Sequence, residues 1–199
     1  MNLRAYLDSL RGKTVAVIGI GVSNTPLVKL LCREGISVTA CDRRSRADLG
    51  ELAGELEGAG AALQLGDGYL ENLTQDVIFR TPGLRPDVPQ LREAVARGSV
   101  LTSEMEEFFH VCPCPIIAVT GSDGKTTTTT IIAELLRAAG KTVHVGGNIG
   151  HPLLCEAGEM AQTDWAVLEL SSFQLMTMDV SPHIAVMTNI APNHLDVHR

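Results

Sequence analysis

Lys125 closes the run Gly121-Ser122-Asp123-Gly124-Lys125-Thr126, and these are the residue types that hold a polyphosphate. Glycines let backbone N–H groups converge on an anion, and a helix starting there adds its dipole. A lysine can reach the outer phosphates as a point charge, and a threonine hydroxyl can ligate Mg²⁺. The longer pattern G-x-x-x-x-G-K would need a glycine where Val119 stands, so the shorter T-G-x-x-G-K-T form, opening at Thr120, is the one that fits. Thr127 to Thr130 prolong a threonine run; as poor helix formers they are expected to pack or cap locally.

A second glycine turn lies earlier, at Gly19-Ile20-Gly21. It is half of a dinucleotide fingerprint, and Asn24 stands where the third glycine would be. Asp42 follows at the end of the next apolar run, where a carboxylate can meet a ribose hydroxyl. The turn alone does not separate NAD from another pyrophosphate ligand. An NAD-dependent oxidoreductase is therefore one reading, although the second phosphate loop and the missing glycine speak against it. Glu169 ends another apolar run, a position from which a carboxylate can bind Mg²⁺, with Ser171-Ser172-Phe173-Gln174 directly after it. Asn148 sits in Gly146-Gly147-Asn148-Ile149-Gly150 and can point into the same cleft. His194 and His198 have helical i, i+4 spacing, but no Glu follows His194 and the zinc-protease pattern is absent.

Strands and helices must alternate to place these groups. Thr14–Ile18, Ile36–Cys41 and Val77–Phe79 read as short buried strands, with a helix from Thr25-Pro26 to Gly35, helix-prone residues to about Glu57, and helices over Pro89–Arg97 and Ser103–His110. Pro113 and Pro115 punctuate the chain, and a linker near 109–114 is the expected boundary between domains at 1–111 and 112–199. Beyond it, Ile116–Val119, Lys141–Val145, Trp165–Leu170 and His183–Thr188 read as strands, with the Thr-rich helix after the first. Such alternation predicts an α/β protein with parallel sheets and right-handed crossovers. A second sheet of about four strands would leave an edge exposed, so that part is expected to be the less stable of the two.

Composition narrows the partners. Hydrophobic residues are 45% and charged residues 20% of 199, and no apolar run is long enough to cross a bilayer, so membrane insertion is not expected. The N-terminus lacks a signal-peptide pattern, which predicts a cytoplasmic protein. Net charge is −7 without a Lys/Arg block, so nucleic acid is not an expected partner. The five cysteines, Cys32, Cys41, Cys112, Cys114 and Cys155, have no zinc-ligand spacing and read as reduced, partly buried thiols.

Taken together, Thr120 to Thr126, Gly147-Asn148-Ile149-Gly150, Leu168-Glu169-Leu170-Ser171-Ser172-Phe173-Gln174-Leu175 and Asn193-His194-Leu195-Asp196 resemble the Mur ligase family. The Gly-x-Gly turn, Asp42-Arg43-Arg44 and Thr81-Pro82-Gly83 extend the likeness to the N-terminal part. The Glu-Leu-Ser-Ser-Phe-Gln string is similar to that of the member adding D-glutamate, and disfavours a folylpolyglutamate synthase-like ligase.

The resemblance implies a Rossmann-like UDP-binding domain followed by the first part of a P-loop, Mur ligase central domain. It implies ATP and Mg²⁺ as cofactors, and UDP-N-acetylmuramoyl-L-alanine and D-glutamate as substrates in peptidoglycan precursor synthesis. Gly121, Ser122, Asp123, Gly124, Lys125, Thr126 and Thr127 would bind ATP, with Lys125 and His194 catalytic. Thr126, Glu169 and His194 would bind metal. Gly21, Val22, Ser23, Asp42, Arg43 and Gly83 would hold the UDP part, Ser171 its pyrophosphate, and Asn148 and His194 the sugar-nucleotide side. Some members carry an acidic residue where this chain has Asn193, and a modified lysine past His194. The resemblance further implies that these residues are the N-terminal portion of a longer monomeric ligase and are inactive alone.

Overall fold

A computed structural model describes residues 1–192. Asn193, His194 and His198, and every role expected of them, lie outside the described residues. The elements run α1 (Leu3–Ser9), β1 (Thr14–Ile18), α2 (Asn24–Arg33), β2 (Ser37–Asp42), α3 (Arg46–Leu49), α4 (Glu51–Gly58), β3 (Ala62–Leu65), β4 (Val77–Phe79), α5 (Pro89–Ala96), β5 (Val100–Thr102) and α6 (Glu104–Val111). They continue with β6 (Ile116–Thr120), α7 (Lys125–Ala138), β7 (Val143–Gly147), a 3₁₀ turn at Leu154–Glu156, β8 (Trp165–Glu169), α8 (Ser172–Leu175) and β9 (Ile184–Met187).

Two parallel sheets result, ordered β3-β2-β1-β4-β5 and β7-β8-β6-β9. In β1 the alternation of side chains is visible in the packing. Val15 and Val17 join one apolar cluster, and Ala16 and Ile18 join another on the opposite face. Burial on both faces is why this strand reads as a continuous apolar run. β6, the sequence counterpart of β1, pairs with both β8 and β9.

Several expectations are corrected. α2 begins at Asn24 rather than Thr25, and β7 is Val143–Gly147 rather than 141–145, with Lys141 and Thr142 in the turn before it. Five elements went unforeseen: α1, the edge strands β3 and β5, the 3₁₀ turn at Leu154–Glu156 and α8. The larger cluster is continuous across the two sheets. It joins Tyr6 and Leu7 of α1 and Met105 and Phe108 of α6 to Leu153, Leu154, Ala166 and Leu168. Glu104 reinforces that junction, accepting a 2.8 Å hydrogen bond from the Leu154 amide. β9 is an edge strand among the described residues, with Ile184 and Met187 exposed. No helix among the described residues is long and apolar enough to cross a membrane.

Candidate functional site

The loop 121–124 leaves β6 and enters α7, so it lies at the C-terminal edge of the second sheet, where open α/β sheets hold ligands. Its tightness has a steric cause. A Cβ built on Gly121 would come within 2.1 Å of Thr188 Oγ1, and Gly121 adopts φ +137°. Gly147 at the end of β7 is equally constrained, since a Cβ there would be 2.1 Å from the Glu169 carbonyl oxygen. That close approach brings Asn148 beside Glu169, whose main-chain oxygen accepts from Asn148 N at 2.8 Å.

Glu169 is the centre of the arrangement. Its side chain is buried. Oε2 accepts from Thr126 Oγ1 at 2.6 Å and Oε1 from Asn148 Nδ2 at 2.9 Å. The carboxylate therefore joins the first turn of α7 to the loop after β7. Thr126 and Glu169 present hard oxygen donors side by side, the chemistry that suits Mg²⁺, which usually keeps several waters and takes only one or two protein oxygens. Among the described residues no cluster of three or more His, Cys, Asp or Glu side chains is placed to hold a metal.

The phosphate-type loop is held partly by its own carbonyls and partly by Asn189 and Ala191. Lys125 Nζ folds back and donates to the carbonyls of Gly121 and Ser122 at 2.8 and 3.0 Å. The Asn189 side-chain oxygen accepts from Ser122 N at 3.1 Å and Asp123 N at 2.9 Å. Ser122 Oγ donates to the Ala191 carbonyl. Within the threonine run, Thr129 and Thr130 donate to the carbonyls four residues back, at Lys125 and Thr126. This agrees with a local role for them and explains how poor helix formers sit in α7.

A cavity of about 480 Å³ lies beside this loop. Gly121, Ser122, Lys125, Asn148 and Ser171 line it from the second sheet, and Pro82 and Gly83 from the first. Ser171 caps α8 through a capping box, its hydroxyl accepting from Gln174 N and donating to Gln174 Oε1. Asp123, Gly124, Thr126, Thr127 and Glu169 do not line the cavity; Glu169, bonded to Thr126, is linked by a hydrogen bond to Asn148, which does.

Gly21, Val22, Ser23, Asp42 and Arg43 form a separate group at the edge of the first sheet and do not line the cavity. Asp42 is buried, and its oxygens are taken. Oδ2 accepts from Ile20 N at 2.7 Å, and the Arg44 guanidinium grips both oxygens at 3.0 Å. The Arg44 contacts and the Ile20 and Arg44 amides hold this carboxyl below the usual range against the opposing effect of its burial. Arg44 also donates to the Ile20 carbonyl. Asn24 takes the place of the third glycine by donating to the Ile18 and Gly19 carbonyls, both at 3.0 Å. Val22 and Arg43 are exposed.

Sequence reasoning missed Asn189 and Arg80. Asn189 follows a strand whose polar end carried no motif. Arg80 precedes Thr81-Pro82-Gly83, yet its side chain is only 1% exposed, which an arginine in a sequence does not announce. All five cysteines are free thiols, and the Cys112 and Cys114 sulfurs lie 3.5 Å apart.

Comparison with known proteins adds to this geometry. Residues 119–199 match the Mur ligase middle domain. Over all 199 residues the chain is 52% identical to the UDP-N-acetylmuramoylalanine--D-glutamate ligase of Clostridium botulinum strain Okra, and 53% identical to that of Ruminiclostridium cellulolyticum. In each case it spans 43% of the relative's length. Among solved structures it is similar to UDP-N-acetylmuramate:L-alanyl-gamma-D-glutamyl-meso-diaminopimelate ligase from Neisseria meningitides (TM-score 0.53, 19% identity, 94% of this chain and 63% of that one). It is also similar to UDP-N-acetylmuramate-alanine ligase from Thermotoga maritima (TM-score 0.52, 21% identity, 94% and 43%). These two likenesses bear on the fold.

Proposed function

Because the chain belongs to the Mur ligase family, we propose that it carries the nucleotide-handling part of an ATP-dependent ligase joining D-glutamate to UDP-N-acetylmuramoyl-L-alanine. The observation that carries this reading is the cavity bordered both by the Lys125 loop and by the Pro82-Gly83 turn. A phosphate donor on one sheet and a sugar nucleotide on the other could meet there.

The chemistry sets the requirements. A carboxylate at neutral pH is a poor electrophile, and transfer of the ATP γ-phosphoryl group gives it a leaving group. The D-glutamate amine then attacks the acyl carbon, and phosphate departs to leave the amide. Charge shared by the γ-phosphate and the carboxylate has to be neutralised during transfer. Lys125, released from the carbonyls of its own loop, supplies one positive charge to the outer phosphates. The amides of Ser122 and Asp123 are the loop donors for phosphate oxygens. Mg²⁺, when bound, supplies further neutralisation, and Thr126 and Glu169 are the residues that would hold it. The acidic side chain of Glu169 is kept in place by Asn148.

Gly21, Val22, Ser23, Asp42, Arg43 and Gly83 are proposed to serve the UDP part, with Ser171 near its pyrophosphate. Asp42 would act there through the Ile20 loop it braces as well as through any free lone pair. The domain division at 111/112 is part of the same proposal, as are the cytoplasmic location and the monomeric state. None of the residues named serves D-glutamate, so these 199 residues are proposed to be inactive as a ligase by themselves.

The test is calorimetric titration of the chain with UDP-N-acetylmuramoyl-L-alanine, with NAD⁺ as control titrant. Saturable heat with the sugar nucleotide and none with NAD⁺ is the expected result. Heat with NAD⁺ alone would overturn the reading in favour of a dehydrogenase-like domain.

A further inference from the structure

Arg80 is the largest fully buried side chain of the described residues, and it lies at the seam between the two sheets. A buried arginine ordinarily faces a carboxylate. This one makes no salt bridge among the described residues. Its Nη1 donates to the Leu84 and Pro82 carbonyls at 3.0 and 3.2 Å, inside the turn that carries Gly83. Its Nη2 donates to Thr177 Oγ1 at 2.8 Å and to the Phe173 carbonyl at 3.2 Å, in and just after α8. Pro82 and Gly83 form one wall of the cavity; Ser172, Phe173 and Leu175 belong to the other.

We propose that Arg80 is a positioning residue for this cleft: one planar guanidinium ties the 81–84 turn to the 173–177 segment and so sets the distance between the two walls. The inference deepens the reading of the cleft as the sugar-nucleotide and ATP site and, for its effect on binding, rests on that reading. Geometry supports a tie rather than a charge pair. Glu106 is the acid whose charge acts on Arg80, yet Glu106 Oε2 and Arg80 Nε are both buried without a hydrogen-bond partner. The Nη donors are committed to acceptors on the two walls instead. A guanidinium suits that task because its donors diverge from a rigid plane, whereas a lysine ammonium is a point donor on a flexible stem.

The experiment is amide hydrogen exchange on the 199-residue chain as wild type, Arg80→Lys, Arg80→Met and Thr177→Val, followed by titration of each with UDP-N-acetylmuramoyl-L-alanine. Arg80→Met is expected to speed exchange about tenfold or more in both segments, 81–85 and 172–178, while β1 and β6 keep their protection. Arg80→Lys is expected to restore one segment at most. Thr177→Val alters only the far wall, and faster exchange in 81–85 is expected there too. If Arg80→Met unfolds throughout, Thr177→Val decides the matter: a response confined to 172–178 overturns the tie. A rise in 81–85 alone in Arg80→Met would overturn it equally.

These arms need no ligand, so a wild type that fails to bind the sugar nucleotide sinks the functional reading without touching them. Where the wild type binds, Arg80→Met is expected to weaken binding about tenfold. Unchanged affinity in a folded Arg80→Met protein would show that the tie does not position the cleft.

Discussion

The side-chain oxygen of Asn189 lies 2.9 Å from the amide nitrogen of Asp123, and it also accepts from Ser122 N. A neutral amide oxygen thereby occupies two of the donors that the loop would offer to a phosphate. An incoming nucleotide must displace it. Asn189→Ala is expected to speed exchange of the Asp123 amide more than that of Ser122, which keeps its bond to the main-chain carbonyl of residue 189, and to tighten ATP binding severalfold, roughly the worth of one neutral hydrogen bond. Calorimetry of ATP against the variant, with exchange of the two amides, checks this; weaker binding would mean that Asn189 organises the loop rather than competing for it.

Glu169 holds Thr126 and Asn148 with different oxygens. In Glu169→Gln one acceptor becomes a donor: the amide oxygen still accepts from Asn148 Nδ2, and the Thr126 hydroxyl turns from donating to accepting. Neutral bonds replace charge-assisted ones and both partners are exposed, so a stability loss of about 1 kcal/mol or less is expected. Stimulation of ATP binding by Mg²⁺ should disappear in the same variant. Chemical denaturation and a Mg²⁺ titration measure the two effects, and a variant that still responds fully to Mg²⁺ would remove Glu169 from the proposed ligands.

Glu104 is buried beneath the 3₁₀ turn, and burial pushes its carboxyl up to about 7. The native state therefore holds a proton that the unfolded chain has already lost between the ordinary glutamate range and about pH 7. Stability contributed by this group is complete below the unfolded pKa and is lost as pH rises through about 7. Glu106, also raised to about 7 by burial, acts in the same direction. The melting temperature is thus expected to be higher at pH 5.5 than at pH 8. Glu104→Gln keeps an acceptor for the Leu154 amide and should flatten part of that slope. An identical pH profile for the variant would show that the charge is relieved in another way.

Asp42 has the opposite sign. Its carboxyl is held below the ordinary range, so what it contributes is present above the unfolded pKa and is lost on acidification through the folded one. Asp42→Ala strands the Ile20 amide and Arg44, and a loss of about 1–3 kcal/mol is expected from the buried donor alone. The same variant should weaken the sugar nucleotide. An Asp42→Ala protein of lower stability and unaltered affinity would assign Asp42 to bracing the loop and not to the ligand.

Much of this was readable from particular residues. The β-branched runs at Val15–Ile18 and Ile116–Val119 announce buried parallel strands, and the Gly121–Thr126 run announces its loop, because those signals are local. α1, β3 and β5 escaped notice for lack of such a signal. They are short, and two are edge strands whose existence depends on β2 and β4 being there to pair with. The group of Lys125, Asn148, Ser171 and Gly83 around one cavity could be suspected from motif order. The Arg80 contacts could not, since Phe173 and Thr177 lie more than ninety residues away in sequence. Asn24 marks the middle case. The missing glycine was legible, and the two carbonyl contacts that replace its function were not.

Gly121 and Gly147 stand where a single added carbon would collide with main-chain atoms, 2.9 Å from the Asn189 carbonyl oxygen and 2.1 Å from that of Glu169, with Thr188 Oγ1 crowding Gly121 as well. In a saturation library of this chain, those two columns would be empty of every replacement, alanine included. Gly12, Gly35 and Gly98, which have open space around them, would tolerate asparagine more readily. The contrast turns the crowding at Gly121 and at the end of β7 into a pattern that survival counts alone can read, with no ligand or assay of chemistry required.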